Sequence, residues 1–246
     1  MNLQGRVALV TGANGGIGRA TALRLAEAGA DLAIGYGYQE QAALAVAEQV
    51  RHRGRKAIAV GGDLRDPAQV RTLVETTESR LGPVDFLISN AGAGTPEKLE
   101  EISVEEWDQT MNINVRPAFL LAQLITPGMR ARKFGRVIFV SSVAAFTGGI
   151  IGPHYAASKA ALLGLMHWLA ASLAPDGVTV NAVAPALIAG TGIIAGTAHD
   201  QQKLAPHIPV GRPGKPEEVA EVILLLLGNA YLTNQTISLD GGMHPR

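Results

Sequence analysis

Tyr155 and Lys159 stand four residues apart in Gly152-Pro153-His154-Tyr155-Ala156-Ala157-Ser158-Lys159, so one helical turn would bring a phenol and an ammonium onto the same face. An ammonium beside a phenol favours the phenolate and is expected to lower a pKa that starts at about 10. Such a pair suits proton transfer to or from a substrate oxygen at neutral pH. The same spacing also arises in amphipathic helices that do no chemistry, so its meaning rests on its surroundings. A second feature of chemical interest is Thr11-Gly12-Ala13-Asn14-Gly15-Gly16-Ile17-Gly18, which follows the first apolar run and opens a helical pattern through Arg19, Leu23, Leu25 and Ala28. Glycines at such a turn let the backbone approach a pyrophosphate, whose charge then meets the free N–H groups of the helix start. Gly12 is expected to make the tight turn, Gly16 the close approach and Gly18 the packing of helix on strand. No Gly-Lys-Ser/Thr follows, which excludes a Walker-type phosphate loop.

The elements that must position these residues are legible as short apolar runs separated by helical patterns. The runs are Val7–Val10, Leu32–Ile34, Ala57–Val60, Phe86–Ile88, Val137–Val140, Val178–Val183 and Thr236–Leu239. They are continuous rather than alternating, as in parallel strands covered on both faces. Helix starts are marked by Asp66 before Pro67, by Ser103 with Glu106, and by Pro216 before Glu217 and Glu218. One long helix is expected from about Val104 to Arg132. The pattern predicts a single α/β domain over residues 1–246: a doubly wound Rossmann fold whose seven-stranded parallel sheet carries helices on both faces. The one long irregular stretch, roughly Ala186 to Lys215, is expected to form a substrate lid.

Composition narrows the partners. Of 246 residues 47% are hydrophobic, enough for one large core, and 21 Lys plus Arg balance 21 Asp plus Glu. With no basic excess, neither nucleic acid nor an anionic membrane surface is an expected partner. The longest apolar run, Val222–Leu227, is far shorter than the roughly 20 residues of a membrane crossing. No cysteine is present, so disulfide and thiolate chemistry are excluded. The opening segment Met1–Arg6 shows no signal-type apolar stretch, and a cytoplasmic protein is expected. His52, His154, His167, His199, His207 and His244 show no ligand spacing, so no metal is expected.

The glycine turn, Asn90-Ala91-Gly92 after the fourth run, Asn114, Ser142, the Tyr155/Lys159 pair and the closing Gln235–Gly242 together resemble the short-chain dehydrogenase/reductase family over essentially the whole chain. Within it the chain is most similar to the 3-oxoacyl-carrier-protein reductase group. The resemblance implies hydride transfer between a nicotinamide cofactor and a ketone or secondary alcohol. It places Tyr155 as proton donor, Lys159 as its electrostatic partner and a ligand of the nicotinamide ribose, Ser142 as a hydrogen-bond partner of the substrate oxygen, and Asn114 as holder of a water that links the lysine to solvent. Family spacing selects Ser142 over Ser141, which is read as a cap of the following turn, and Asn114 over Asn112. The implied cofactor-binding set is Gly12, Asn14, Gly15, Gly16, Ile17, Gly18, Tyr36, Asp63, Leu64, Asn90, Ala91, Gly92, Tyr155, Lys159, Pro185 and Ile188. The chain departs from the family pattern at Ala186, where glycine is usual, and at Ala189-Gly190-Thr191, which displaces the expected threonine by one.

Three choices stay open at this level. Tyr36, at the end of the second run, stands where NAD-selective relatives carry an acid, which favours NADP(H) with NAD(H) as second choice; yet Gly15 occupies the place of a basic residue, and Gly37-Tyr38-Gln39 adds no charge. The substrate is a small ketone or alcohol, or a sugar as in an NAD-dependent sugar dehydrogenase, or an acyl thioester whose carrier would need basic residues at the cleft mouth, for which Arg130, Arg132 and Lys133 are the candidates. Relatives imply a homotetramer through the helices carrying Asn114 and Tyr155. The competing reading is a nucleotide-binding redox sensor without turnover. A dehydratase or epimerase would bring a longer chain with a separate substrate region.

Overall fold

The computed structural model describes residues 2–191 and 205–244. Seven strands form one sheet: β1 Val7–Thr11, β2 Asp31–Tyr36, β3 Ala57–Gly61, β4 Phe86–Ser89, β5 Gly135–Val140, β6 Val178–Pro185 and β7 Thr236–Leu239. Every neighbouring pair is parallel, and the order is β3-β2-β1-β4-β5-β6-β7. All residues of β1, β5 and β6 are buried, which is why their sequences carry no polar alternation.

Both faces are covered. Helices α1 Gly16–Glu27 and α2 Glu40–Arg51 share one core with a carboxy-terminal helix over Pro216–Gly228; Leu25, Val46, Val50, Ile223 and Leu226 meet Val10, Ile34 and Ile138 there. On the other face lie α3 Pro67–Leu81, α5 Arg116–Ala131 and α7 Pro153–Leu173, with Val70, Leu121, Ile125, Met129 and Met166 against Leu87, Phe139 and Val180. Two further helices, α4 Val104–Asn114 and α6 Ala144–Thr147, stand over the carboxyl ends of the strands, and the Pro216–Gly228 helix is α8. By length and composition the segment Pro153–Asp176 is apolar enough to cross a membrane, but it is a core helix whose buried residues include Tyr155, Ser158 and Lys159.

The expected caps are present. Asp66 accepts from Ala68 N at 2.8 Å, Ser103 Oγ accepts from Glu106 N at 3.2 Å while Glu106 returns the bond to Ser103 N, and Glu218 accepts from Lys215 N at 2.7 Å. The single helix expected from Val104 to Arg132 is instead two. Val115 is the junction, distorted within the helical region to φ −110° and ψ −53°, and Pro117 follows at the start of α5. Proline has no N–H for the carbonyl four residues back, and its ring crowds that turn, so the helix breaks here. The break places Asn114 at the end of α4, where its side chain points inward instead of along a helix flank.

The expected lid lies partly outside the described residues, at 192–204. Its base is described: Ile188 bridges Gly214, with Ala189 N donating to Gly214 O at 2.9 Å and Gly214 N to Leu187 O at 3.0 Å.

Candidate active site

Strand order reverses between β1 and β4, and such a switch point opens a crevice at the carboxyl ends of the strands. Here the two loops flanking the crevice are bolted together. Thr11 Oγ1 accepts from the N–H groups of Asn90 and Ala91, both at 3.0 Å, and the Asn90 amide donates to Thr11 O at 2.9 Å and Gly12 O at 3.2 Å. Gly12 sits at φ +62°, a conformation that side chains disfavour. A Cβ on Gly18 would fall 2.3 Å from Gly12 O and 2.7 Å from Asn90 Nδ2, so this glycine lets α1 pack on the turn and on the β4 loop. Gly16 faces Gly190 O and Thr191 Cγ2, at 3.0 and 3.2 Å from where a Cβ would stand.

Among the described residues no side chain caps α1 at Gly15, in contrast with α3 and α4, and unlike α4 it has no acid in its first turn. The first-turn N–H groups are therefore available to an anion, and the glycine surface leaves room for one beside the backbone. The turn opens into a cavity of about 770 Å³, lined also by Gly37–Gln39, Gly62–Arg65 and Asn90–Thr95. This is a fitting cradle for a dinucleotide. A second cavity of about 260 Å³ is lined by Ser142, Tyr155, Lys159, Pro185, Leu187 and Ile188 among others. Ile17, Asn90 and Thr191 line both, so the two compartments meet there.

The polar groups of the second compartment are held by a buried network. Lys159 is 2% exposed; its ammonium donates to Val140 O at 3.0 Å and lies 5.6 Å from the centre of the Tyr155 ring. Ser141 Oγ donates to Lys159 O at 2.8 Å, which ties β5 to α7; it is not the cap of the following turn that the sequence suggests. Ser142 does the capping, accepting from Ala144 N at 3.2 Å while its hydroxyl reaches Pro185 O at 3.4 Å. Asn114 Oδ1 accepts from Ala93 N at 2.8 Å, and its amide donates to Ala93 O and Ser158 Oγ, both at 2.9 Å. A Cβ on Gly92 would stand 2.9 Å from Asn114 Oδ1 and 3.1 Å from Lys159 Nζ, so Asn114, Gly92 and Lys159 are packed side by side.

The electrostatics differ from the expectation for the pair. Burial pushes the Lys159 ammonium down to about 8, and burial also pushes the Tyr155 phenol up, with the facing Ser142 hydroxyl pulling it part of the way back. The phenol is raised rather than lowered because desolvation dominates: the lysine is aimed at a carbonyl and is itself driven toward its neutral form.

Other expected site residues fall as follows. Asn14, Gly15, Ile17, Leu64, Asn90, Ala91 and Gly92 line the large cavity, and Pro185 and Ile188 the small one. Tyr36 lines neither. Its register partner across the sheet is Gly61, and the phenol ring covers that glycine, where a Cβ would meet ring atoms at 2.9 Å. Tyr38 occupies the corner instead. Asp63 does cap its own loop, accepting from Arg65 N at 2.9 Å, and it also holds the Arg65 guanidinium at 2.7 to 3.0 Å. Thr191 Oγ1 is spent on Ile188 O at 2.8 Å. Arg130, Arg132 and Lys133 are not at the cleft mouth of this chain: they precede β5, at the amino ends of the strands, opposite the crevice. Arg130 and Lys133 both pair with Asp176, and Arg132 donates to Val84 O at 2.8 Å. Sequence reading missed Thr11, Ser158 and Gly94. Thr11 was visible only as the letter before the glycines, Ser158 as a residue one turn beyond Tyr155, and Gly94 as the second glycine of Gly92-Ala93-Gly94, where a Cβ would strike Tyr155 Cδ2 at 2.6 Å.

The family model for short chain dehydrogenases matches residues 6–202. The chain belongs to the short-chain dehydrogenase family. It is 38% identical over 244 residues to the 3-oxoacyl-[acyl-carrier-protein] reductase of Synechocystis sp., covering 98% of each chain. The reductase of the same name from Aquifex aeolicus is 37% identical over 246 residues, with 99% of each covered. Among solved structures, a short-chain type dehydrogenase/reductase from Mycobacterium marinum superposes with a TM-score of 0.91 at 33% identity, covering 98% of this chain and 96% of that one. This short-chain dehydrogenase is thus an oxidoreductase that works with a nicotinamide cofactor, on a seven-stranded Rossmann-like sheet.

The buried lysine makes a prediction about stability. Its proton leaves the folded chain near pH 8 and the unfolded chain near the ordinary 10.5, so between these values the unfolded state holds more protons and stability rises with pH. The rise is expected to approach about 1.4 kcal/mol per pH unit between roughly pH 8 and 10. Urea unfolding of the wild type and of Lys159→Met across that range checks it: the variant should lack the rise, and an equal slope in both would refute the assignment.

Proposed function

We propose that this enzyme interconverts a ketone and a secondary alcohol using NADP(H), with a 3-oxoacyl thioester as its first candidate substrate and NAD(H) as the second-choice cofactor. The observation that carries the reading is the meeting of Ser142, Tyr155 and Lys159 around one small cavity that joins the glycine-lined crevice. When bound, the nicotinamide supplies or accepts the hydride. Gly12, Asn14, Gly15, Gly16, Ile17 and Gly18 would hold the dinucleotide, together with Asp63, Leu64, Asn90, Ala91 and Gly92 in the large cavity, and Pro185 and Ile188 in the small one would hold its nicotinamide part. Tyr155 gives its proton to the carbonyl oxygen, and the raised phenol pKa keeps that proton in place until charge develops on the oxygen. Ser142 donates a hydrogen bond to the same oxygen, and Lys159 offers its ammonium to the nicotinamide ribose. Asn114 fixes the Ala93 backbone and Ser158 around them.

The acyl thioester is supported by the names of the reductases to which the chain is similar and by an apolar wall of Ile150, Ile151, Leu187, Ile208 and Met243 suited to an alkyl chain. NADP(H) is supported by the lack of a carboxylate at the end of β2. We further infer a cytoplasmic homotetramer built through α4, α5 and α7, supported by a cysteine-free chain and by the exposed Trp107, Phe119 and Trp168 on those helices.

Turnover is read as loss of the reduced nicotinamide signal with a panel of ketones and 3-oxoacyl thioesters. Tyr155→Phe is expected to lower turnover by about 10²- to 10⁴-fold while leaving dinucleotide affinity within about threefold. Unchanged turnover in the variant would remove the proposed acid, and dinucleotide binding without turnover of any substrate would favour a sensor. Sedimentation should give a species of four chains; monomers alone would contradict the tetramer.

A further inference from the structure

The glycine turn contains no basic residue, and Gly37, Tyr38 and Gln39 at the exit of β2 add no charge. A phosphate on the adenosine 2′ oxygen would lie at that exit, where the ribose edge of a bound dinucleotide falls in this fold. Among the described residues lining the large cavity, Arg65 is the one Lys or Arg. It comes from the loop between β3 and α3 and reaches back over the corner. Its Nη2 lies 3.3 Å from Tyr38 Oη, and Asn14 Nδ2 donates to Tyr38 O at 3.1 Å, so the glycine turn, the β2 exit and the β3 exit are linked into one rim.

The charge arrangement of that rim is specific. Asp63 is the acid on this side of the cavity, and it engages Nε and Nη2 of Arg65. This has two effects. The carboxylate that would repel a phosphate is neutralised, and the guanidinium is oriented with Nη1 turned away from its partner and still able to donate. Arginine suits such sharing, because its planar fork can serve a carboxylate on one edge and a phosphate on another. We propose that Arg65 is the specificity-determining residue for a 2′-phosphorylated adenosine, receiving the phosphate on the free edge of its guanidinium with the Tyr38 hydroxyl beside it. The proposal rests on the dinucleotide reading above and explains how an NADP(H) preference arises without a cation in the glycine turn or at the β2 exit.

Calorimetric binding of adenosine 2′,5′-bisphosphate and of 5′-AMP to the full chain tests it without any turnover. The wild type is expected to bind the bisphosphate more tightly than 5′-AMP. Arg65→Ala should weaken the bisphosphate by about tenfold or more and leave 5′-AMP within about twofold, which also shows that the variant is folded. The double variant Asp63→Asn with Arg65→Ala should still discriminate poorly; restored preference there would mean that Arg65 merely masks Asp63 and would overturn the proposal. Equal weakening of both ligands by Arg65→Ala would overturn it too, by assigning Arg65 to the loop's architecture, as would no weakening of either. Failure of the wild type to bind both nucleotides would strike the dinucleotide reading itself, and this inference with it.

Discussion

A primary ammonium buried to 2% exposure is the constraint around which the reaction end of this protein is arranged. Lys159 has a carbonyl to donate to, Val140 O, but among the described residues no carboxylate, so its charge is only partly compensated there. The surrounding structure holds it there from three sides. Ser141 fastens its backbone to β5, Asn114 ties the Ala93 backbone to α7 through Ser158, and Gly92 leaves space that any side chain would fill. A charge kept under such conditions gains most from a partner that arrives with acceptor oxygens, and a ribose hydroxyl pair is such a partner.

The other end of the crevice is governed by backbone instead of charge. Thr11 and Asn90 cross-link the loops after β1 and β4, and Gly18 permits a contact with Gly12 O that a methyl group would forbid. The uncapped start of α1 leaves its first-turn N–H groups available to an anion. Two compartments of different character meet at Ile17, Asn90 and Thr191, one shaped by glycine and the other by a phenol, a hydroxyl and a lysine.

Much of this was legible in the sequence because the signals are local. Continuous apolar runs marked all seven strands, and Asp66, Ser103 and Glu106 marked helix starts that the hydrogen bonds bear out. What stayed hidden depends on distance in space. Pro117 breaks the helix carrying Asn114, yet proline near a helix start and proline that ends a helix look alike in a string of letters. The sign of the Tyr155 shift turned on burial, which spacing does not reveal. Tyr36 and Tyr38 are two residues apart on an exiting strand, and only the register with Gly61 shows which one leaves the cavity. The basic residues at 130, 132 and 133 lie at the amino ends of the strands, away from the crevice, and Arg65 is not legible as a site residue because its place beside Tyr38 requires the β3 loop to fold back.

The central claim is that burial holds the Lys159 ammonium at a lowered pKa of about 8 until a ligand takes its hydrogen bonds. Carbon-13 NMR of lysines labelled at Cε, with the Lys159 signal assigned by its loss in Lys159→Met, measures this directly. The account predicts a titration midpoint at about 8 in the chain alone and a clear upward move when the nicotinamide dinucleotide is added. A midpoint at the ordinary lysine value of about 10.4, unmoved by the dinucleotide, would contradict it.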